Sequence, residues 1–380
     1  MVTQLVPSDV LKNADKILFI AHLALGDFTY LQNCFQSFSE AYPHIKIHIW
    51  IDEVRRTSQP ARWEHLKKYA LYDWVAACPF VTKLYSQTYS PALFQKSVKE
   101  AQQEAYPLVV SLSTLRPPMY AALAREISPS GFVAGMKKSA SLFAVHKHLA
   151  YRKLDAALDP DGATEPGQHI SDIYATWFNR LFGVESTLLS RLPFVRIPAK
   201  WEQYAKKQIS DWGFERGSLH PAAKLVFINP YAKNKKRCWP LERVSELSAA
   251  IREQDGWQDT AIIVNIIPEE LGLARKFFDQ QTSNRFQLFS AQDNFFQLPA
   301  VLRECDLIIS VETAVMHLAN AVHVPVIALM RQKNPEWAPI DKENSTVVTT
   351  LNRRDWVKAI TVNQVTAVLS KTTCDVSSVG

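Results

Sequence analysis

Apolar residues in the first half of the chain form short runs that alternate with amphipathic segments. The runs KILFIA at 16–21 and IKIHIWI at 45–51 predict strands, because they are short and bounded by polar residues. Between them, residues 29–42 carry apolar side chains at helical spacing and stop before a proline, which predicts a helix. LVVSLS at 108–113 predicts another strand, and 118–126 a helix entered through paired prolines. Alternating strands and helices are typical of a mainly parallel sheet.

A second series of the same kind occupies the other half of the chain. Four apolar runs predict its strands: KLVFINP at 224–230, TAIIVNIIP at 260–268, DLIISV at 306–311 and VPVIALM at 324–330. Helical patterns lie between them, and valines and isoleucines over 356–369 predict a closing helix. The pattern therefore predicts an α/β fold built on two sheets.

The length of 380 residues favours two domains, since a single core rarely grows to that size. A stretch rich in prolines around 191–221, with an amphipathic segment, marks the junction. We predict domains over 1–205 and 206–355. Residues 356–380 are expected to form a helix, which packs back toward the first domain, and a polar tail.

Composition narrows the class of protein. With 47% hydrophobic and 21% charged residues, the chain resembles an ordinary soluble globular protein. The first twenty residues contain Asp9 and Asp15 and lack an apolar core, which argues against a signal peptide or membrane anchor. We therefore expect a cytoplasmic protein. A net charge of +6 favours a solvated basic surface over a nucleic-acid groove.

The cysteines do not form a recognisable metal-binding or disulfide pattern. No CxxC pair occurs, which argues against a zinc site or a disulfide framework. We expect reduced thiols at all five positions: Cys34, Cys78, Cys238, Cys305 and Cys374.

The first strand leads directly into Leu25-Gly26-Asp27 and a helix. A glycine there allows a close turn, and Asp27 places a carboxylate at the carboxyl end of a strand, where open parallel sheets bind ligands. The alternative is that Asp27 only caps the helix, which is the commoner role for an isolated Gly-Asp pair.

The strand ending at Asn229-Pro230 is followed by a loop of four cations, and Trp239-Pro240 then opens a helix with proline in its first turn. The cations are Lys233, Lys235, Lys236 and Arg237. Cations beside a helix start favour phosphate. Most such charges simply face water, and Arg237 is the strongest candidate for a phosphate contact.

A third cluster follows the strand DLIISV, where Glu312-Thr313-Ala314 leads into a helix carrying Met316 and His317. The carboxylate can accept hydrogen bonds from sugar hydroxyls, while the threonine and the free N–H groups of the helix can meet phosphates. A lone histidine is more often a core residue, and it is the setting of His317 that favours a ligand role.

Three segments carrying these clusters resemble glycosyltransferase family 9, the ADP-heptose heptosyltransferases. They are ILFIAHLALGDFTYLQNCFQSFSEAYP, VFINPYAKNKKRCWPLERVSELSAAI and CDLIISVETAVMHLANAVHVPVIALMRQKNPEWAPI. The third is the most specific, because an acidic turn, a Met-His-Leu-Ala helix, a Val-Pro strand and a Trp-Ala-Pro exit agree in spacing.

The resemblance implies a GT-B fold: two facing Rossmann-like domains, the first binding the acceptor and the second the nucleotide-sugar. It implies that Asp27 is the general base in a metal-independent, inverting transfer that uses no cofactor. Gly26 and Arg116 are the expected acceptor-binding residues. The expected donor-binding residues are Lys236, Arg237, Glu312, Thr313, Ala314, Met316 and His317.

The implied partners are a nucleotide-sugar donor, ADP-heptose, and a lipid A/Kdo or core-oligosaccharide acceptor in lipopolysaccharide synthesis. Nucleic acid is not among them, and peripheral contact with the cytoplasmic face of the inner membrane is left open. The chain departs from the family where Glu312-Thr313-Ala314 replaces Asp-Thr/Ser-Gly, and where Arg237 replaces a lysine.

Other functions remain open at this point. A non-hydrolysing sugar-nucleotide epimerase can share a two-domain architecture, and a degenerate transferase fold can bind sugar-nucleotides without catalysis. A nicotinamide dehydrogenase ranks lower, because no GxGxxG follows any predicted strand.

Overall fold

The computed structural model describes residues 4–139, 141, 144–162, 165, 167–214, 224–280 and 286–369. The chain divides into two compact units, Met1–Arg191 and Leu192–Gly380. The division lies earlier than the predicted 205/206. Residues 192–205 belong to the second unit, where Glu202, on the helix that follows the division, forms an ion pair with Arg303 at 2.6 Å.

A six-stranded parallel sheet forms the centre of the N-terminal unit, in the order β3-β2-β1-β4-β5-β6. Its strands are β1 Lys16–Ala21, β2 Lys46–Ile51, β3 Val81–Tyr85, β4 Leu108–Ser111, β5 Phe132–Met136 and β6 Ala156–Leu158. Its helices are α1 Ser8–Asn13, α2 Leu25–Ala41, α3 Trp63–Lys67, α4 Ala70–Ala76, α5 Pro91–Gln103, α6 Pro117–Ile127, α7 Val145–Tyr151, α8 Ile170–Phe182 and α9 Leu188–Arg191, with a 3-10 turn at Pro60–Arg62.

The C-terminal unit contains a second six-stranded parallel sheet, in the order β12-β11-β10-β7-β8-β9. Its strands are β7 Leu225–Asn229, β8 Ala261–Asn265, β9 Phe286–Phe289, β10 Leu307–Val311, β11 Val326–Met330 and β12 Ser345–Thr349. Its helices are α10 Ala199–Asp211, α11 Leu241–Arg252, α12 Leu271–Asp279, α13 Gln297–Arg303, α14 Ala314–Ala321 and α15 Val362–Leu369. Its 3-10 turns are Lys235–Arg237, Pro268–Glu270, Pro335–Trp337 and Val357–Ala359.

Both sheets follow one topology. Read from the appropriate edge, the first strand of each unit is third in the sheet and the fourth strand lies beside it on the other side. This doubly wound order changes direction between the first and fourth strands, and ligands of such sheets bind at the carboxyl ends there. The predicted α/β fold with mainly parallel sheets is confirmed.

Central strands are buried along their whole length, as parallel strands covered by helices on both faces must be. All residues of β7, β10 and β11 are buried. The closing segment differs from the single helix predicted over 356–369, because it forms a 3-10 turn followed by α15. The buried Val365 and Leu369 of α15 belong to the core of the C-terminal unit.

Candidate functional site

The candidate residues lie at the carboxyl ends of strands that flank the two switch points. Asp27 follows β1 and Arg116 follows β4, the two central neighbours of the first sheet. In the second sheet, Arg237 follows β7 and Glu312 follows its neighbour β10. Each unit thus places its candidate residues where its topology opens a ligand site.

Helix α2 begins at Leu25, so Gly26 and Asp27 occupy its first turn instead of a preceding loop. This corrects both the predicted helix start near residue 29 and the turn-forming role given to Gly26. The start is earlier because the Asp27 carboxylate, three residues into the helix, accepts the backbone N–H of Ala24 at 3.1 Å. Asp27 therefore does cap the helix, but with only one of its oxygens.

The second carboxylate oxygen of Asp27 accepts a hydrogen bond from the hydroxyl of Tyr174 at 2.7 Å. Tyr174 lies on α8 and is only 4% exposed. Burial, reinforced by the negative charge of Asp27, raises the pKa of Tyr174 well above its ordinary value. The phenol consequently stays protonated and donates to the carboxylate, which fixes the orientation of Asp27.

A second carboxylate and a histidine complete this edge of the sheet. His22, directly after β1, stacks on Tyr120 with ring centroids 5.9 Å apart. The Tyr120 hydroxyl donates to Asp52, after β2, at 2.8 Å, and Arg56 pairs with the same carboxylate. Burial lowers the pKa of His22, while Asp27 and Asp52 oppose this shift. Sequence patterns gave no signal for this group, because its members are far apart in the chain.

Arg116 is exposed at the entrance to α6, in a left-handed conformation with φ of 54°. Few residues other than glycine adopt this conformation, and the following Pro117 restricts Arg116 further. The backbone thus holds this predicted acceptor-binding cation at the carboxyl edge of β4.

The basic loop of the C-terminal unit is a short 3-10 turn, Lys235–Arg237, capped by the side chain of Asn234, which accepts the N–H of Lys236 at 3.0 Å. Pro240 stands at the N-cap of α11, one position before the predicted first turn. Lys235 is exposed and pairs with Glu270 at 3.7 Å, so this cation of the run has a carboxylate partner of its own.

Glu312 is 7% exposed, and its carboxylate is surrounded by donors from this chain. Asn334 donates to it at 2.6 Å, and Arg331, just after β11, donates through Nε at 3.3 Å and Nη2 at 3.4 Å. Arg237 forms an ion pair with it at 3.5 Å. The structure thus brings together Arg237 and Glu312, which the sequence singled out separately.

Trp356 contacts both Arg331 and Lys236, another residue predicted from the sequence. The Lys236 ammonium lies 5.5 Å from the centre of the Trp356 ring, and the Arg331 guanidinium 4.9 Å from it. Cation–π contacts of this kind place both cations against one ring, and Arg331 also pairs with Glu312. Arg331, Asn334 and Trp356 escaped the sequence analysis because they lie in loops without a periodic pattern.

Thr313 is the N-cap of α14, and its hydroxyl accepts the N–H of Val315 at 3.3 Å. The same hydroxyl accepts from the amide of Asn229 at 3.0 Å, and that amide also donates to Ser310. Asn229 thus ties the end of β7 to the start of α14. Asn229 is a further residue at this edge of the sheet, and the sequence predicted no ligand-binding role for it.

The other predicted donor-binding residues line the start of α14. Ala314 is half-buried, whereas Met316 and His317 are 1% and 2% exposed. The His317 ring lies 6.1 Å from that of Trp337. Both Met316 and His317 therefore pack inside the C-terminal unit.

The cysteines in the described part of the chain are free: Cys34, Cys78, Cys238 and Cys305. Cys374 lies outside the described residues. Across the described ranges, we find no helix with the length and apolar character that a membrane span requires.

Part of the chain matches a known protein family. Residues 189–364, a little under half of the chain, match the family model of glycosyltransferase family 9 (heptosyltransferase). No curated protein matches the sequence.

Solved structures support the same fold over almost the whole chain. A family 9 glycosyltransferase from Veillonella parvula superposes with a TM-score of 0.72 at 17% identity, over 94% of this chain and 97% of that one. ADP-heptose lipopolysaccharide heptosyltransferase II from E. coli gives 0.65 at 16%, over 94% and 98%. The E. coli heptosyltransferase WaaC with ADP gives 0.59 at 15%, over 94% and 97%. At these identities the structures establish a GT-B fold, and residues 189–364 of that fold carry the match to the glycosyltransferase family 9 model.

Proposed function

We propose that the protein is an inverting, metal-independent transferase that moves a heptose or a related sugar from a nucleotide diphosphate donor to a lipopolysaccharide inner-core acceptor. ADP-heptose is the proposed donor, and a lipid A/Kdo or core oligosaccharide the proposed acceptor. The protein would act in the cytoplasm, with peripheral contact at the inner membrane where such acceptors are made.

One observation carries this proposal: Arg237 and Glu312, chosen from separate parts of the sequence, form an ion pair at the switch point of the C-terminal sheet, and Lys236 adjoins Arg237 in the chain. They fall within the region that matches the family model. The heptosyltransferase WaaC has been solved with ADP, which is the leaving group that this cluster would hold.

The chemistry follows from the residues available. Transfer leaves negative charge on the departing diphosphate, and guanidinium and ammonium groups stabilise it where it develops. Arg237 and Lys236 supply such groups, which is why the proposed step needs no metal. The N–H groups at the start of α14 add a further favourable dipole.

Asp27 supplies the base in this proposal. Its carboxylate can take the proton from the acceptor hydroxyl as the oxygen attacks the anomeric carbon. Attack from the side opposite the leaving diphosphate inverts the configuration. The hydrogen bonds from Tyr174 and Ala24 hold the carboxylate in place, and Gly26 and Arg116 are proposed to contact the acceptor.

The test is a transfer assay with ADP-heptose, run with and without Kdo-bearing lipid A. The expected result is ADP release that depends on the acceptor, with a product of inverted anomeric configuration by NMR. Isomerised sugar-nucleotide formed without acceptor would instead establish the epimerase. Sugar-nucleotide binding without turnover on any core acceptor would favour a non-catalytic protein.

A further inference from the structure

We infer that Arg331 is a second diphosphate-binding guanidinium, and that Glu312 serves to hold Arg331 and Arg237 in place rather than to contact donor sugar hydroxyls. This inference rests on the proposed donor site, and it assigns roles that the sequence patterns did not predict.

The cluster around Glu312 carries more positive than negative charge. Arg237 and Arg331 share a single carboxylate, Glu312, whose side chain is 5% exposed. The Arg331 side chain is only 8% exposed. Buried charge without full compensation is costly, so a cluster with excess positive charge favours the binding of an anion.

The contacts are also loose for charged partners. Hydrogen bonds between guanidinium and carboxylate groups usually measure about 2.7–2.9 Å. Arg331 lies 3.3 and 3.4 Å from the Glu312 oxygens, and Arg237 lies 3.5 Å away. Only Asn334 makes a short contact, at 2.6 Å. Glu312 therefore engages both guanidiniums without saturating either.

Both arginines have a donor group that Glu312 does not engage. The Nε of Arg237 is buried without a hydrogen bond in the described part of the chain. Arg331 directs Nε and Nη2 toward Glu312, which leaves Nη1 for another acceptor. The buried Nε of Arg237 has lost water without gaining a partner, which is unfavourable, and a phosphate oxygen would satisfy it.

Trp356 gives this arrangement its rigidity. Its ring faces both Arg331 and Lys236, so the loop after β12 orients cations that follow β11 and β7. Two phosphate groups joined through one oxygen present several acceptors in a small volume. Two guanidinium forks and one ammonium match that pattern better than one cation alone.

Glu312 has no free oxygen in this arrangement. One of its oxygens accepts from Asn334 and from Nη2 of Arg331, and the other accepts from Nε and the backbone N–H of Arg331. A sugar hydroxyl would have to displace one of these donors. The carboxylate is thus better suited to orient the cations.

The experiment measures the Kd of ADP and of adenosine for Arg331→Gln in the full chain. We expect ADP binding to weaken about 10- to 100-fold, the range for a charged hydrogen bond, with adenosine binding unchanged. Lys333→Gln is the matched control, because it removes the same charge from an exposed position two residues away and should leave both constants unchanged.

A double variant separates direct contact from a structural role. Arg331→Gln combined with Glu312→Gln replaces this ion pair by a neutral pair, and the cation that loses its carboxylate, Arg237, is 36% exposed. If Arg331 binds diphosphate, ADP affinity stays low in the double variant. Glu312→Gln alone should weaken ADP binding less than Arg331→Gln does, because both guanidiniums remain and only their positioning is lost. Recovery of ADP affinity in the double variant would overturn the inference.

Arg237→Ala distinguishes this inference from the donor site itself. If Arg237→Ala weakens ADP binding but Arg331→Gln does not, the donor site stands and the inference about Arg331 is wrong. If neither variant weakens ADP binding, the proposed donor site has failed. A selective loss of nucleotide-sugar, but not ADP, in Glu312→Gln would restore the sugar-binding role of Glu312.

Discussion

At the scale of single residues, Asp27 tests the proposed mechanism most directly. Asp27→Asn keeps the shape of the side chain but cannot accept a proton, so turnover should fall by at least about 100-fold while donor binding is retained. Steady-state kinetics and ADP titration of one preparation measure both. Asp9→Asn, in the first turn of α1, is the control for losing a helix-start carboxylate. Near-normal turnover in Asp27→Asn would leave Asp27 as a cap only.

Tyr174 tests whether the orientation of Asp27 matters. Tyr174→Phe removes one hydrogen bond to the carboxylate, and we expect kcat to fall about 5- to 10-fold with the Kd for ADP unchanged. Tyr42→Phe is a matched control, since it removes a 2.6 Å hydrogen bond to the carbonyl of Phe182 within the same unit. Equal losses of kcat in the two variants would point to a general loss of stability instead.

Arg237 tests the phosphate contact. Arg237→Ala should weaken ADP by about 1.5–3 kcal/mol, the range for a charged hydrogen bond, and barely affect adenosine. Arg237→Lys should recover part of this loss, because it keeps the charge but not the fork. Calorimetric titration measures each value. Equal losses for ADP and adenosine would rule out a phosphate role.

Some residues of the candidate site could be predicted from the sequence and others could not. Glu312 and Arg237 could be selected because each follows a recognisable strand and precedes a helix. Arg331 and Trp356 belong to irregular loops, and their importance arises only from contacts with residues distant in sequence. No local pattern encodes such a contact, so it had to be found in three dimensions.

At the scale of elements, Thr313 links the stability of α14 to the site. Thr313→Ala removes the cap of Val315 and the contact with Asn229, and should lower the free energy of unfolding by about 1–2 kcal/mol. Thr313→Ser keeps the hydroxyl and should restore most of it. Urea unfolding of both variants measures the difference, and equal values for Ala and Ser would exclude the hydroxyl as the cause.

Most strands that lie inside the sheets were predictable, although the interior strand β5 was not. The sequence identified β1, β2, β4, β7, β8, β10 and β11, which lie inside the sheets and form continuous apolar runs. Edge strands escaped prediction because one side faces solvent and their patterns are mixed, as in VTKLY of β3 and STVVT of β12. The start of α2 was missed because a glycine in the first turn disguised the helix.

At the scale of the whole molecule, the repeated topology explains why two unrelated clusters occupy equivalent places. Each unit has its own buried core, one including Ile20, Val109 and Val133, the other including Ile228, Val264 and Ile309. Because a core buried within one unit stabilises that unit first, the two units are expected to unfold separately.

Scanning calorimetry of the full chain should therefore resolve two transitions, and ADP should raise only the one that belongs to the C-terminal unit. A ligand present at 100 times its Kd stabilises the unit it binds by about 2.7 kcal/mol, whereas the other unit gains nothing. Val133→Ala and Val264→Ala assign the transitions, since each removes buried methyl groups from one core and lowers only its own. In Arg237→Ala the ADP-dependent shift should disappear at the same ligand concentration. A shift confined to the transition lowered by Val133→Ala would place the nucleotide in the N-terminal unit and refute the proposed donor site.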